Sequence, residues 1–277
     1  MNYNICIAKP DGYLHSAAFC ELAEIIGYSL QDLGHAVAIN LNQFFDDATN
    51  ILIGCHLLDP ALIKQIPKSS IVLNTEPLFN DAPDWNNRIA EWVRHFQTWD
   101  YNDAHLCRLE ALFSTNPKLL RLGFHPKMAR IGKPVTQDID VLFYGATSER
   151  RKVIIDALRE TGMQVKVIFG VYGEERDALV ARSKVVLNMH RTESKIFEIV
   201  RVFYLMNNAK AVVCEVDENT EIDSVYRDGI KASTYENLVE SCQALVMNDK
   251  ARDDLEERSL EIIRRLPQKD FLTPLLV

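Results

Sequence analysis

Residues 185–213, VVLNMHRTESKIFEIVRVFYLMNNAKAVV, limit the fold more than any other stretch of the chain. The run opens on VVLNM and closes on AVV. Neither end shows the polar alternation of a strand with one wet face, so both predict strands buried on two sides. Between them Ile196, Phe197, Ile199, Val200, Val202, Phe203 and Leu205 cover a helix nearly all round, which predicts a buried helix. Two such strands joined by a helix make a crossover unit, and crossovers of that kind build parallel sheets covered by helices.

The same alternation recurs on both sides. In the amino half, strands are expected at 4–8, 36–39, 50–54 and 70–74, and helices at 16–33 and 60–65, with less regular elements at 92–99 and 106–113. Gly34 stops the first long helix. In the carboxyl half, strands at 139–144, 164–169, 185–189 and 211–215 alternate with helices at 150–161, 174–182 and 195–205. Helices at 235–247 and 252–266 follow, and Pro267 ends the last. Gly132-Lys133-Pro134 lies between the two series. The fold class expected is therefore α/β, with two facing Rossmann-like domains, each on a parallel sheet. The expected domains are 1–135 and 136–277, with a boundary near 133–137.

Composition narrows the partners. The chain has 277 residues, a formal charge of −8 and a pI near 5.4, and its longest basic cluster is Arg150-Arg151-Lys152. That balance argues against nucleic acid as a partner. Six scattered cysteines form no CxxC pair, so no metal site is expected from them. The opening MNYNICIAKPDG lacks a basic stretch leading into an apolar one, and no apolar run approaches the roughly 18 residues of a membrane span. The localisation expected is cytoplasmic, with no signal peptide and no transmembrane segment.

Ligands of open parallel sheets sit beyond the carboxyl ends of the strands. The loops to inspect are 9–16, 54–58, 74–78, 145–151, 170–176, 190–195 and 215–220. In 145–151, Gly145 lets the backbone approach a ligand, Ser148 can cap the next helix, and Arg150 or Arg151 can hold a phosphate. Two solvated arginines beside a capped turn are the plainer reading. In 170–176, Val171 and Tyr172 between two glycines suit a planar base, with Arg176 close by. His190 follows a buried strand and can serve a sugar hydroxyl, a phosphate or the core. Lys195, Glu198 and Arg201 recur along the next helix, where charges inside an apolar helix need partners. In the amino half, Asp11, His15 and Glu76 are the candidate general bases. Capping by Asp11 or Ser16 and a solvated Glu76 are the alternatives.

The segment YLMNNAKAVV at 204–213 resembles EAMACGKPVV of retaining glycosyltransferases with the GT-B architecture. Lys210, Val212 and Val213 keep register, and Ala209 stands where that family has Gly. Arg201 with Val202-Phe203, the segments VLFYGATSERR and VYGEERDALVARSKVVLNMH, and Tyr226-Arg227-Asp228-Gly229 followed by Tyr235-Glu236-Asn237-Leu238 are similar to the spore-maturation (CgeB-like) branch. The likeness covers about residues 138–265 and reaches the amino half only loosely.

It implies a donor-side carboxyl domain, an acceptor-side amino domain, and a tail (about 252–277) returning to the amino domain. By the resemblance, the donor is a nucleoside diphosphate sugar, with no cofactor and no metal. Retaining members carry two Glu on this helix, at positions held here by Ile196 and Tyr204; Glu193 and Glu198 are near but out of register. Tyr204, Glu198 and Arg201 are expected to stand in for that pair, with Tyr204 toward the ribose; a Tyr204 packed between helix and sheet is the alternative. Sugar transfer to an unknown glycan, small-molecule or protein acceptor is the leading function. A catalytically silent nucleotide- or sugar-binding protein is the alternative, and an epimerase or phosphorylase on the same scaffold is a third.

Overall fold

The computed structural model describes residues 1–79, 82–132, 136–191, 197–220 and 222–276. They form two compact units, Met1–Leu122 with Pro267–Val277, and Gly123–Leu266.

The first unit is built on six parallel strands: β1 (Asn2–Ile7), β2 (Ala36–Leu41), β3 (Thr49–Ile53), β4 (Ile71–Asn74), β5 (Gln97–Asp100) and β6 (Lys118–Leu119), in the order β2-β1-β3-β4-β5-β6. Helices α1 (Cys20–Asp32), α2 (Pro83–Val93) and α3 (Asp103–Phe113) connect them. Ile5, Ile51, Leu52, Ile53, Val72 and Leu73 are almost wholly buried, as strands between helical layers require. The irregular stretch 92–99 is the end of α2 followed by β5. Trp92, Val93, Phe96 and Trp99 keep helical spacing and are all buried, yet the chain turns from helix to strand between them. The expected helices at 16–33 and 60–65 begin or run as tighter 3₁₀ turns, at Leu14–Phe19 and Pro60–Gln65.

The second unit carries β7 (Ile139–Tyr144), β8 (Val165–Ile168), β9 (Ser183–Asn188), β10 (Val212–Glu215) and β11 (Lys231–Ser233), all parallel, in the order β11-β10-β9-β7-β8. Helices α4 (Glu149–Glu160), α5 (Gly173–Arg182), α6 (Ile199–Asn207), α7 (Ser224–Arg227), α8 (Leu238–Val246) and α9 (Asp249–Arg264) complete it. In each sheet the first strand lies between the second and the third. The connections therefore reverse direction beside β1 and β3 in one unit, and beside β7 and β9 in the other. In doubly wound sheets that reversal opens the ligand crevice.

The expected helix at 195–205 starts later, at Ile199, with Glu198 as its cap; Lys195 and Ile196 lie outside the described residues. Ala209 follows the helix in the left-handed conformation (φ 49°). The amides of Ala209 and Lys210 close back on the carbonyls of Met206 and Leu205, a turn that ordinarily takes Gly.

The units divide at Leu122–Gly123, ahead of the Gly-Lys-Pro expected to separate them. Two asparagines at the end of α6 explain why. Asn207 accepts from the His125 amide and donates to the Gly123 carbonyl, while Asn208 accepts from the Arg130 and Ile131 amides and donates to Met128. The segment 123–131 is thereby bound into the second unit. Helix α9, expected to leave with the tail, stays in the second unit. The segment that joins the first unit begins at Pro267. Its helix α10 (Gln268–Leu272) packs on α1, with Leu272 fully buried and the Gln268 amide donating to the Arg121 carbonyl.

Candidate functional site

Two polar clusters stand at the carboxyl ends of the strands, one in each unit. In the second unit, β7 runs into Gly145 with φ 140°, where a Cβ would lie 3.1 Å from an Arg201 guanidinium nitrogen. Glycine is thus what lets that guanidinium lie against the loop. Ser148 caps α4 through the Arg151 amide.

Arg151 is not a solvated arginine: its side chain is only 3% exposed. Its Nη1 donates to the Ala146 carbonyl (2.7 Å), and its Nε and Nη2 donate to the Met189 carbonyl (3.2 and 2.6 Å). Its Nη2 also meets Glu198 Oε1 at 2.7 Å. Burial pulls the Arg151 guanidinium below its ordinary value, and Glu198 opposes that shift. Arg201, one turn along α6, pairs with the other oxygen of Glu198, donates to Asn188 at the end of β9, and lies 4.9 Å over the Tyr144 ring. Its Nε is buried and has no acceptor among the described residues. One carboxylate therefore bridges two arginines, leaving a net positive charge at the reversal point of the sheet.

Arg150 turns to the next strand. It makes a bidentate pair with Glu215, which is 1% exposed, and lies 3.8 Å over the Tyr235 ring. The His190 amide donates to the same Glu215 (2.9 Å), and the His190 ring is 3.4 Å from Thr220 Oγ1. Glu215 thus neutralises the Arg150 that the sequence offered to a phosphate.

Beyond β8, Val171 and Tyr172 are half-buried, and Tyr172 precedes α5. Arg176 binds Asp177 and lies 4.7 Å over the Tyr204 ring. The Tyr204 hydroxyl donates to Asp177 (2.6 Å) and accepts from Arg130 (2.9 Å); burial raises its pKa, reinforced by Asp177. Glu198, Arg201 and Tyr204 accordingly do not converge on one point. The first two meet Arg151, and Tyr204 is packed with its hydroxyl satisfied.

In the first unit, β3 ends at Gly54 (φ 76°), where a Cβ would lie 2.5 Å from the Phe19 ring. His56 follows, its ring 5.4 Å from that of Trp85. Beyond β4, the Glu76 carboxylate lies 3.4 Å from His56 Nε2 and accepts from Thr75 Oγ1 at 3.3 Å. At the end of β5, the wholly buried Asp100 accepts from Asn74 Nδ2 (2.7 Å) and the Asn102 amide (2.9 Å), with His105 Nδ1 3.3 Å away. Asn74 Nδ2 also donates to the Glu76 carbonyl, tying the two loops together.

Burial pushes the Glu76 carboxyl up to about 7 and the His56 imidazole down to about 4, the latter helped by Arg88. Desolvation is the first cause for both. Despite their short separation they face each other uncharged between about pH 4 and 7, because each loses more hydration than the other returns.

Glu76 is therefore neither solvated nor alone. Asp11 is exposed, and His15 packs edge-on against Tyr13 (5.4 Å). Neither Asp11 nor Ser16 caps the helix that follows: the Ser16 hydroxyl donates to the Ala8 carbonyl instead. The sequence reading missed His56, Asp100 and His105 in this unit, and Glu215, Asp177, Arg130 and Asn188 in the other. His56 and Glu215 did lie in loops marked for inspection. Among the described residues no three His, Cys, Asp or Glu converge as a metal-binding group.

No protein-family model matches the chain. Among curated relatives, the uncharacterized protein L140 of Acanthamoeba polyphaga mimivirus is 25% identical over 223 residues, which span 76% of this chain and 70% of that one. The uncharacterized protein L138 of the same virus is 22% identical over 257 residues, 84% of this chain; the match spans only 26% of that relative's length.

Solved structures are similar over nearly the whole chain. T4 phage BGT in complex with UDP-glucose aligns with a TM-score of 0.62 at 11% identity, covering 99% of this chain and 98% of that one. A sucrose-phosphate synthase from Thermosynechococcus elongatus gives 0.62 at 8% identity, covering 100% and 98%. AviGT4, a glycosyltransferase involved in avilamycin A biosynthesis, gives 0.55 at 13%, covering 99% and 98%. The α/β fold with two parallel sheets is therefore the GT-B fold of these glycosyltransferases.

Proposed function

We propose that the chain is a glycosyltransferase that moves a sugar from a nucleoside diphosphate sugar to a hydroxyl acceptor. One observation carries this reading: the likeness to a UDP-glucose-bound glycosyltransferase runs through 99% of the chain. The charge layout supports it. The second unit is the donor side, where Arg151, Arg201 and the Gly145 loop supply cationic donors at the reversal point of the sheet. Stabilising a departing diphosphate needs such fixed donors. Val171 and Tyr172 are the candidate base-side residues, with Arg176 and His190 lining the neighbouring strand ends and Lys195 outside the described residues.

The first unit is the acceptor side. Glu76, with its carboxyl raised to about 7, suits removal of a proton from an acceptor hydroxyl near neutral pH, and His56 sets its surroundings. Asp11 and His15 remain on the neighbouring loop as candidates. In this reading the arginines meet the diphosphate without a metal. One similar structure holds UDP and Mn2+, so EDTA and Mn2+ belong in the assay. Another similar structure is of a DNA-modifying enzyme, but a charge of −8 favours a glycan, small-molecule or protein acceptor here. No described helix is long and apolar enough to cross a membrane; a cytoplasmic location is part of the proposal.

Hydrolysis of a panel of nucleotide sugars, read beside calorimetric binding of UDP and GDP, tests the proposal. Turnover supports transfer. Binding without turnover selects the second reading, a silent nucleotide-binding protein. That alternative is favoured by Ile196 and Tyr204 at the family's carboxylate positions, with the Tyr204 hydroxyl already bonded to Asp177. Absence of both sinks the donor-side assignment.

A further inference from the structure

The Arg151–Glu198–Arg201 bridge is unequal in what it can release. Three main-chain carbonyls hold Arg151, those of Ala146, Met189 and His190, so its guanidinium stays in place without Glu198. Asn188 and the Tyr144 ring hold Arg201, and Arg201 Nε still lacks an acceptor among the described residues. Glu198 is the outermost member, 30% exposed against 3% and 14% for the two arginines. It occupies the cap position of α6 with non-helical φ and ψ and makes no cap bond to the helix amides. A carboxylate swung off the arginines would still lie at the amino end of α6, where negative charge is favoured.

We propose that Glu198 is a built-in competitor for the diphosphate of the donor. Its carboxylate fills the two-arginine fork when the fork is empty of ligand, and a diphosphate must displace it. The occupant is identified by chemistry: two fixed guanidiniums, one with a spare donor, match the several anionic oxygens of a diphosphate better than a single carboxylate does. The inference rests on the donor-side reading of the second unit and specifies how that site is tuned. In this arrangement Glu198 keeps two like charges from facing each other unscreened, and it lowers affinity so that the released nucleoside diphosphate can leave.

Calorimetric titration of UDP, inorganic pyrophosphate and uridine into wild type, Glu198→Gln and Glu198→Asp tests it, with circular dichroism as the folding control. Gln removes the competing charge, and Asp keeps the charge but shortens its reach. Either variant should bind UDP and pyrophosphate about tenfold more tightly, the scale of one charge-assisted contact, and uridine no differently. If wild type binds UDP and the variants bind it equally or more weakly, Glu198 is no competitor and this inference falls alone. If no protein binds UDP but pyrophosphate tightens in the variants, the fork stands and the donor reading falls. If none binds either ligand, both fall.

Discussion

Beyond β3, β4 and β5 lie two acids and two imidazoles; beyond β7 and β9 lie two arginines, one buried and one partly buried, bridged by one acid. Yet the two sheets share their strand order up to the fifth strand and reverse at the same place. What separates the clusters is how each charge is satisfied. Arg151 is held mainly by carbonyls of the loops it joins, so its charge is fixed in position. Glu76 is held by one hydroxyl and an uncharged imidazole, so burial moves its pKa instead. A single layout thus supports a site that stays charged and a site that exchanges a proton near pH 7.

The largest effect should come from breaking the fixed site. Arg151→Ala leaves Glu198 to Arg201 alone and three carbonyls without their guanidinium, and it should destabilise the chain by about 3–5 kcal/mol, as loss of one partner of a buried pair does. Urea unfolding measures this; a loss under about 1 kcal/mol would mean that water replaces the guanidinium easily and the site is not rigid. Next, Glu76→Gln should cut sugar transfer about a hundredfold or more while leaving UDP affinity unchanged. A loss of UDP affinity would instead place Glu76 on the donor side.

The same group sets a pH dependence with a definite sign. Because the folded Glu76 carboxyl titrates near 7 rather than 4.5, its stabilising contribution is present below about 4.5 and is lost as pH rises through 7. His56, lowered to about 4, contributes above its ordinary 6.5 and loses that contribution as pH falls through 4. Thermal unfolding of wild type and Glu76→Gln from pH 4.5 to 8 should show the variant gaining relative stability as pH rises. Transfer by the wild type should rise across the same window, with a midpoint near 7. Parallel curves would show that Glu76 ionises normally.

Smaller changes probe the rim of the fixed site. Tyr204→Phe removes bonds to Asp177 and Arg130 and should cost about 0.5–1.5 kcal/mol of stability. An unchanged preference for UDP over dUDP would keep Tyr204 in the core, and a lost preference would return it to the ribose. Ala209→Gly, at a left-handed position, should stabilise by about 0.4–1 kcal/mol by denaturant midpoint. A destabilisation would show that the turn after α6 has adapted to its Cβ.

Most of this fold was legible because apolar periodicity reports burial, and two-sided strands such as VVLNM have few other readings. The stretch 92–99 resisted because its buried residues keep helical spacing across a helix–strand junction. That also hid the end of β5, and with it Asp100 and His105. At the donor side, Arg151 and Arg201 were visible as candidates; the glycine at 145, expected to let the backbone approach a ligand, lies against the Arg201 guanidinium. The Glu198–Arg201 pair was visible at its helical spacing, but Glu198–Arg151 and Arg150–Glu215 were not, since they join residues far apart in sequence and spacing along a helix reports only its own neighbours. The same blindness paired Tyr204 with Glu198 and Arg201, when its hydroxyl points to α5.

The discontinuity of the first unit has a consequence for synthesis. Residues 1–122 leave the ribosome before the second unit does, but the face of α1 that receives α10 stays uncovered until residues 267–277 emerge. The second unit, a continuous segment, has all its strands and helices before then. Of the two units, the one that is begun earlier is therefore completed later. A chain stopped at Leu266 would release a finished second unit beside a first unit with an open apolar seam, the kind of species that chaperones hold and proteases find.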